Sequence, residues 1–124
     1  MARKGKVLLN YVIIAPEADA EEGRRIFGSH GPWMEATHHR GGDKALISYD
    51  VAIAPELSNP FDPSSEPTGR TCFILTEVYE SDEGVEDHFS RAGSSWDEFP
   101  ALGAWLERCE LYGVPAAPIV NSLW

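Results

Sequence analysis

Cysteines are scarce in this sequence, and long apolar stretches are absent. Cys72 and Cys109 are the only 2 cysteines, and their spacing matches no zinc motif. Because two cysteines are too few for a disulfide scaffold, we expect free thiols and a cytoplasmic protein. The longest unbroken apolar run, residues 11–15, is far shorter than the roughly 20 residues of a membrane-spanning helix. We therefore expect no membrane partner, and we interpret the basic start as the approach to a strand rather than as a signal peptide.

Basic residues are in short supply as well. The 124 residues include 20 acidic and 10 basic side chains, which gives a formal net charge of −10. Nucleic acids and anionic membranes bind to basic surfaces, so neither is an expected partner. The length is that of one domain, and a hydrophobic content of 43% can supply its core. We therefore expect residues 1–124 to form a single domain.

The first third of the chain is predicted to be a strand followed by two helices. Residues 7–14 are apolar and β-branched, and their one polar member is Asn10. Residues 17–29 begin with acidic side chains and continue with an apolar stripe at helical spacing, which predicts a helix. The dipeptide Gly31-Pro32 should then break or kink this helix, because proline disfavours a helix interior. A second short helix is expected to end near residue 38.

The remaining elements follow from alternation and helical spacing. They are strands over 44–53 and 70–80, helices over 82–92 and from a capping box at 95–98 to about 108, and an edge strand near 119–120. The order fits a ferredoxin-like split βαβ sandwich, an α+β fold whose antiparallel four-stranded sheet carries helices on one face. The other face would stay apolar, which predicts a homodimer. Residues 55–69 hold four prolines and predict a Pro/Ser-rich loop insert, weakly ordered unless it crosses to a partner subunit.

Histidine 88 is the first candidate for chemistry. Helical spacing predicts that Val85 and Phe89 face the sheet, which places His88 at the rim of that face. There it could carry a proton between solvent and a ligand, and acidic residues close to it in space would raise its pKa. The alternative is a purely structural histidine beside an apolar stripe.

Other candidates lie on the first strand and around the expected helix break. His30, Trp33 and Met34 bring an imidazole, an indole and a thioether together, so they could line a pocket or simply fill the core. Asn10 could bind a polar group of a ligand in a cavity, or it could be a core asparagine whose amide is hydrogen-bonded within the protein. The four histidines show no spacing of four residues on an unbroken helix, so we expect no metal site and no cofactor. The sequence also lacks a serine nucleophile elbow, a phosphate-binding glycine loop and a dinucleotide fingerprint.

Residues 73–89 read Phe-Ile-Leu-Thr-Glu-Val-Tyr-Glu-Ser-Asp-Glu-Gly-Val-Glu-Asp-His-Phe. This segment resembles antibiotic biosynthesis monooxygenase-like proteins, in which an apolar strand ending Glu-x-Tyr or Glu-x-Trp leads through acidic residues into a helix carrying a histidine. The resemblance implies a homodimeric α/β barrel whose two sheets pack face to face, with a pocket between sheet and helices in each subunit. Members include cofactor-free oxygenases of phenols and quinols, haem-degrading oxygenases and small-molecule isomerases.

The resemblance leads to several hypotheses about function. The first is a cofactor-independent monooxygenase-like enzyme acting on a small aromatic phenol or quinol. Its catalytic residues would be His88, Asn10 and His30, and its substrate-binding residues would be Trp33, Met34, Tyr79 and Phe89. The second is a dimer that binds a small aromatic or apolar molecule without turnover, and the third is a stress or assembly protein whose pocket is filled by side chains. The haem-degrading branch, which resembles this chain at Asn10, Tyr79 and His88 but has tryptophan in place of Tyr79, gives a further alternative.

Overall fold

The computed structural model describes residues 2–124, which form one sheet and three helices. The elements are β1 (Val7–Ala15), α1 (Ala20–Thr37), β2 (Leu46–Leu57), β3 (Pro67–Tyr79), α2 (Asp82–Ser95), α3 (Phe99–Leu106) and β4 (Glu110–Pro118). The strands lie in the order β2-β3-β1-β4, and every neighbouring pair is antiparallel. This confirms the predicted α+β fold, a ferredoxin-like antiparallel sheet with helices on one face.

The core lies between the helices and one face of the sheet. Leu9 of β1 and Phe73 of β3 point inward and are fully buried, as alternation along each strand requires. Gly23 allows α1 to approach this layer closely. A β-carbon at Gly23 would lie 2.5 Å from a ring carbon of Trp105 and 2.6 Å from one of Phe73, so a larger residue would force α1 away from the aromatic core.

The predicted helix break at Gly31-Pro32 is wrong. Helix α1 continues through Pro32 to Thr37. Proline removes one backbone hydrogen bond and strains the preceding turn, at a cost of about 3 kcal/mol. Buried residues on both sides, His30 and Met34, fix this segment of the helix against the rest of the molecule, and their packing outweighs that cost.

The proline-rich segments form edge strands rather than loops. Strand β2 continues to Leu57 and β3 begins at Pro67, so the loop insert expected over 55–69 is reduced to residues 58–66. Hydrogen bonds between Asn59 and Ser65 join the two ends of this shorter loop. The last strand covers Glu110–Pro118 instead of lying near residues 119–120. Prolines are tolerated in β2 and β4 because both strands lie at edges of the sheet.

The predicted capping box at residues 95–98 is also absent. Helix α2 extends to Ser95, and α3 begins only at Phe99, where no side chain caps it. The Ser95 hydroxyl instead donates a hydrogen bond to the Arg91 carbonyl and accepts one from the indole N–H of Trp33. Ser95 therefore joins α2 to α1 and does not initiate α3.

The outer face of the sheet is not covered by a helix in the described residues. Half-buried apolar side chains such as Leu8, Val12 and Ile74 point to this face. Among residues 2–124, no helix is long and apolar enough to cross a membrane.

Candidate functional site

A cavity of about 230 Å³ lies between the helices and the inner face of the sheet. Apolar side chains from the sheet and all three helices form most of its wall, including Leu75, Ala92 and Trp96. His30 and His88 are the two histidines in its lining. The side chains of this chain therefore leave space beside two imidazoles, which argues against the hypothesis of a pocket filled by its own side chains.

A chain of hydrogen bonds determines which ring nitrogen of His88 carries the proton. The Thr37 hydroxyl donates its single hydrogen to the Trp33 carbonyl at 2.7 Å, so it can only accept from His38 Nδ1–H at 3.0 Å. His38 Nε2 is then unprotonated and accepts from His88 Nδ1–H at 2.9 Å. Neutral His88 is left with a bare lone pair on Nε2, and this atom has no hydrogen-bond partner within residues 2–124.

Glu77 lies beside His88 on the inner face of β3. Its side chain is completely buried, and Oε1 accepts a hydrogen bond from the Tyr79 hydroxyl at 2.5 Å. Its other oxygen, Oε2, is the buried side-chain polar atom that has no partner in the described part of the chain. Such an atom is costly to bury without a partner, so Glu77 is a candidate member of the site.

His30 of α1 is the second imidazole at the cavity. It is buried, and its Nδ1 shares a hydrogen bond of 2.8 Å with the Tyr49 hydroxyl. Its ring centroid lies 4.7 Å from that of Trp96 and 6.0 Å from that of His88. Helices α1 and α2 and strand β2 therefore fix the position of this ring.

Burial keeps the histidines neutral and the carboxyl group partly protonated. It lowers the pKa of His88 to about 3, with a further lowering by the neighbouring imidazoles of His38 and His30. Burial likewise lowers the pKa values of His30 and His38 to about 4 each. It raises the pKa of Glu77 to about 7, against the opposing effect of the Tyr79 hydrogen bond. The 3.8 Å approach of His88 Nδ1 to Glu77 Oε1 is therefore a contact between uncharged groups at mildly acidic pH, not an ion pair.

The expectation of a half-exposed His88 is wrong. His88 is 5% exposed and Phe89 is 40% exposed. The sequence predicted the reverse, with Phe89 facing the sheet and His88 at the rim of that face. The buried residues of α2 are Gly84, Val85, His88 and Ala92, so the inward face is turned by about half a residue from the predicted phase, toward His88 and away from Phe89. Asp87 raises the pKa of His88, as expected of a nearby acidic residue, but burial and the other imidazoles outweigh this effect.

The structure separates the other predicted site residues. Asn10 lies on the outer face of the sheet, where its amide donates to the Leu75 carbonyl and the Thr76 hydroxyl. Trp33 packs against Trp96 behind the cavity, with ring centroids 5.7 Å apart. Of the seven predicted residues, the ones that line the cavity are His30, His88 and Phe89.

Met34 and Tyr79 lie close to the cavity but outside its lining. Met34 is buried and lines a separate open groove of about 400 Å³ between α1 and β2. Tyr79 is fully buried and reaches the site through its hydrogen bond to Glu77. It therefore supports the site from beneath and does not touch the cavity.

Sequence reasoning missed three members of this cluster. Glu77 belongs to no catalytic motif in the sequence, although its inward position between Leu75 and Tyr79 on an alternating strand could have identified it. His38 and Tyr49 gave no comparable signal. Their contacts with His88 and His30 join residues 50 and 19 positions apart, and only the tertiary fold brings them together.

The same cluster contains possible metal ligands. One ligand atom each from His30, Glu77 and His88 lies within 4.8 Å of the others, and all three residues are buried. Imidazole nitrogen and carboxylate oxygen are ligands for first-row transition metals.

Comparisons with known proteins define the fold class. No protein-family model and no curated protein matches the chain. Among solved structures, the chain is similar to a dimeric ferredoxin-like protein from an uncultured marine organism, with a TM-score of 0.62 and 8% identity. The likeness covers 95% of this chain and 99% of that one. At this identity it shows the fold alone: the chain is a ferredoxin-like α+β protein, and the resemblance to the narrower monooxygenase-like family stays a prediction.

Proposed function

We propose that this protein is an oxygenase-type enzyme that binds a small phenol or quinol in the cavity at His30 and His88. The observation that carries the proposal is the bare Nε2 lone pair of His88, a hydrogen-bond acceptor without a partner in an otherwise apolar cavity. A phenolic hydroxyl supplies the donor that this atom lacks. The aromatic ring fits the apolar wall, where Phe89 and Trp96 offer ring faces and edges.

The size of the cavity supports a ligand of one or two rings. Its volume of about 230 Å³ lies below the roughly 300–1,000 Å³ of pockets for drug-sized ligands. Haem is larger than such a ligand. Two residues on which the haem alternative rests lie on opposite sides of the sheet, because Asn10 is on the outer side while His88 lines the cavity on the inner side. These observations favour a small aromatic ligand over haem.

Binding without turnover is the second candidate, and one observation favours it. With a pKa of about 3, His88 accepts a hydrogen bond readily but is a weak base for removing a proton from a phenol. The proposed oxygenase needs that proton removed before the substrate anion can react with dioxygen. The two candidates therefore differ in whether the bound hydroxyl is ionised.

We also propose that two copies of this chain form a homodimer through the outer faces of their sheets. The similar marine protein is dimeric, and the outer face carries half-buried apolar side chains around Ile74. An apolar face of this kind tends to be covered by a partner in solution.

Dioxygen uptake tests the oxygenase proposal. The protein would be assayed with a panel of phenols, quinols and anthrone-like compounds, with and without a chelator, beside the variants His88→Gln and His39→Gln. Replacement of the imidazole by an amide, which cannot take up the proton of the phenol, should reduce uptake in His88→Gln by about 100-fold, whereas His39→Gln, at an exposed position, should leave it unchanged. Ligand binding without any uptake would favour the second candidate. Uptake that survives in His88→Gln would contradict the proposed role of His88.

A further inference from the structure

Three elements of the fold bring two imidazoles and one carboxyl group together inside the protein. His30 comes from α1, Glu77 from β3 and His88 from α2. Their exposed fractions are 4%, 0% and 5%, and one ligand atom of each lies within 4.8 Å of those of the others. Since each ligand lies on a different element, no local spacing in the sequence could have indicated this cluster.

In each of the two histidines, one ring nitrogen is hydrogen-bonded within the protein and the other has no hydrogen-bond partner among the described residues. His30 Nδ1 is bonded to the Tyr49 hydroxyl, and His88 Nδ1 donates to His38. Neither Nε2 atom has a hydrogen-bond partner in residues 2–124. Histidines that bind metals commonly have this arrangement, because a partner on the second nitrogen fixes the tautomer and orients the ring.

The carboxyl group of Glu77 likewise has one hydrogen-bonded oxygen and one oxygen without a partner in the described part of the chain. Glu77 Oε1 accepts from the Tyr79 hydroxyl, while Oε2 is fully buried and unpartnered. An unpartnered oxygen in a buried site is a second observation, independent of the histidines, that points to a missing cation or donor.

We propose that His30, Glu77 and His88 bind one divalent first-row transition-metal ion. Two imidazoles and one carboxylate form a ligand set typical of mononuclear sites with open coordination positions. The Tyr49, His38 and Tyr79 side chains act as the outer shell that orients the three ligands.

The distances require only a small adjustment. Ligand bonds of about 2.0–2.2 Å place the donor atoms of one ion roughly 3–4 Å apart. One ligand atom of each of the three residues lies within 4.8 Å of those of the others. The ligand atoms would therefore close by about 1–2 Å around an ion, which rotation of the Glu77 carboxyl group and ring tilts can supply.

The metal would lie at the floor of the cavity, because His30 and His88 both line it. This inference goes beyond the proposed function and does not depend on it. The two proposals share His88 Nε2, so an ion on this atom and a phenol hydroxyl on the same lone pair exclude each other. The test therefore measures metal binding by itself.

Cobalt titration of the chelator-stripped, full-length protein tests the inference. Co²⁺ should bind with one ion per chain and produce visible d–d absorption. Glu77→Gln and His88→Gln should each weaken binding by at least about tenfold, since even outer-shell changes cost 10–100-fold. His39→Gln and Cys72→Ser alter potential ligands outside the cluster and should leave the affinity unchanged.

Two results would overturn the inference. One is the absence of Co²⁺ binding by the folded wild-type protein, and the other is equal affinity in the wild-type and Glu77→Gln proteins. If a ligand variant fails to fold, X-ray absorption on the cobalt-loaded wild-type protein decides the question. A first shell of nitrogen and oxygen donors with two imidazoles supports the site, and sulfur donors or a fully hydrated ion contradict it.

Discussion

His88 owes its state to the side chains around it. Thr37 and His38 fix its tautomer through two hydrogen bonds, and burial removes the water that would stabilise its charged form. The sequence indicated His88 as a candidate because it lies beside an apolar stripe, and the structure places it at the cavity. Its burial could not be predicted, since a rotation of α2 by less than one residue exchanges the places of His88 and Phe89.

The buried histidines should make the free energy of unfolding depend on pH. In the folded protein, the pKa values of His30, His38 and His88 are about 4, 4 and 3, against 6.5 for unperturbed histidine. Between these values the unfolded chain binds more protons, so their stabilising contribution is complete above pH 6.5 and lost as the pH falls to about 3–4. Glu77 opposes this trend, because burial raises its pKa from 4.5 to about 7. Its stabilising contribution is therefore complete below pH 4.5 and is lost as the pH rises through 7. Because three histidines oppose one carboxyl group, acidification should lower the free energy of unfolding.

Urea unfolding at a series of pH values measures this dependence. His38→Gln should reduce the slope of the unfolding free energy between pH 4.5 and 6 by about one proton per chain. The exposed His39→Gln variant is the matched control and should keep the wild-type slope. Equal slopes in the wild-type and His38→Gln proteins would show that His38 titrates normally in the fold.

Among the elements, the inner strands were the easiest to predict from sequence. Alternation placed β1 and β3 within a few residues of their true ends, because both are central in the sheet and bury one face on the core. The edge strands β2 and β4 were mispredicted at their proline-rich ends, since an edge position cannot be deduced from a local pattern. The break at Pro32 was mispredicted for a related reason: the buried contacts of His30 and Met34 that hold α1 together are tertiary.

The outer face of the sheet should behave as a dimer interface. Ile74 lies near its centre, paired with Val12 on one side and Ala52 on the other. A charge there would be buried without a partner in the dimer, so Ile74→Asp should sediment as a folded monomer where the wild-type protein sediments as a dimer. Ala36→Asp, on an exposed position of α1, should remain dimeric. A wild-type protein that is monomeric at micromolar concentration would refute the proposed dimer.

At the scale of the whole molecule, the cavity results from how the helices lie on the sheet. Its wall combines side chains from the sheet with those of α1, α2 and α3. The family resemblance implied a pocket in this layer, but its lining depends on the rotation of each helix. This is why the sequence named Trp33 and Met34 as ligand contacts, whereas the structure places Trp96 and Ala92 at the cavity.

Calorimetric titration with 1-naphthol tests the central claim most directly, namely that this cavity holds a small hydroxylated aromatic molecule. Ala92 is buried and lines the cavity, so Ala92→Leu fills space there without altering a histidine, and Ala104→Leu is the control on an exposed position of α3. We predict one naphthol per chain for the wild-type and Ala104→Leu proteins, and a loss of affinity of at least about tenfold for Ala92→Leu, equivalent to about 1.4 kcal/mol. No binding to the folded wild-type protein, or undiminished binding to Ala92→Leu, would contradict the account.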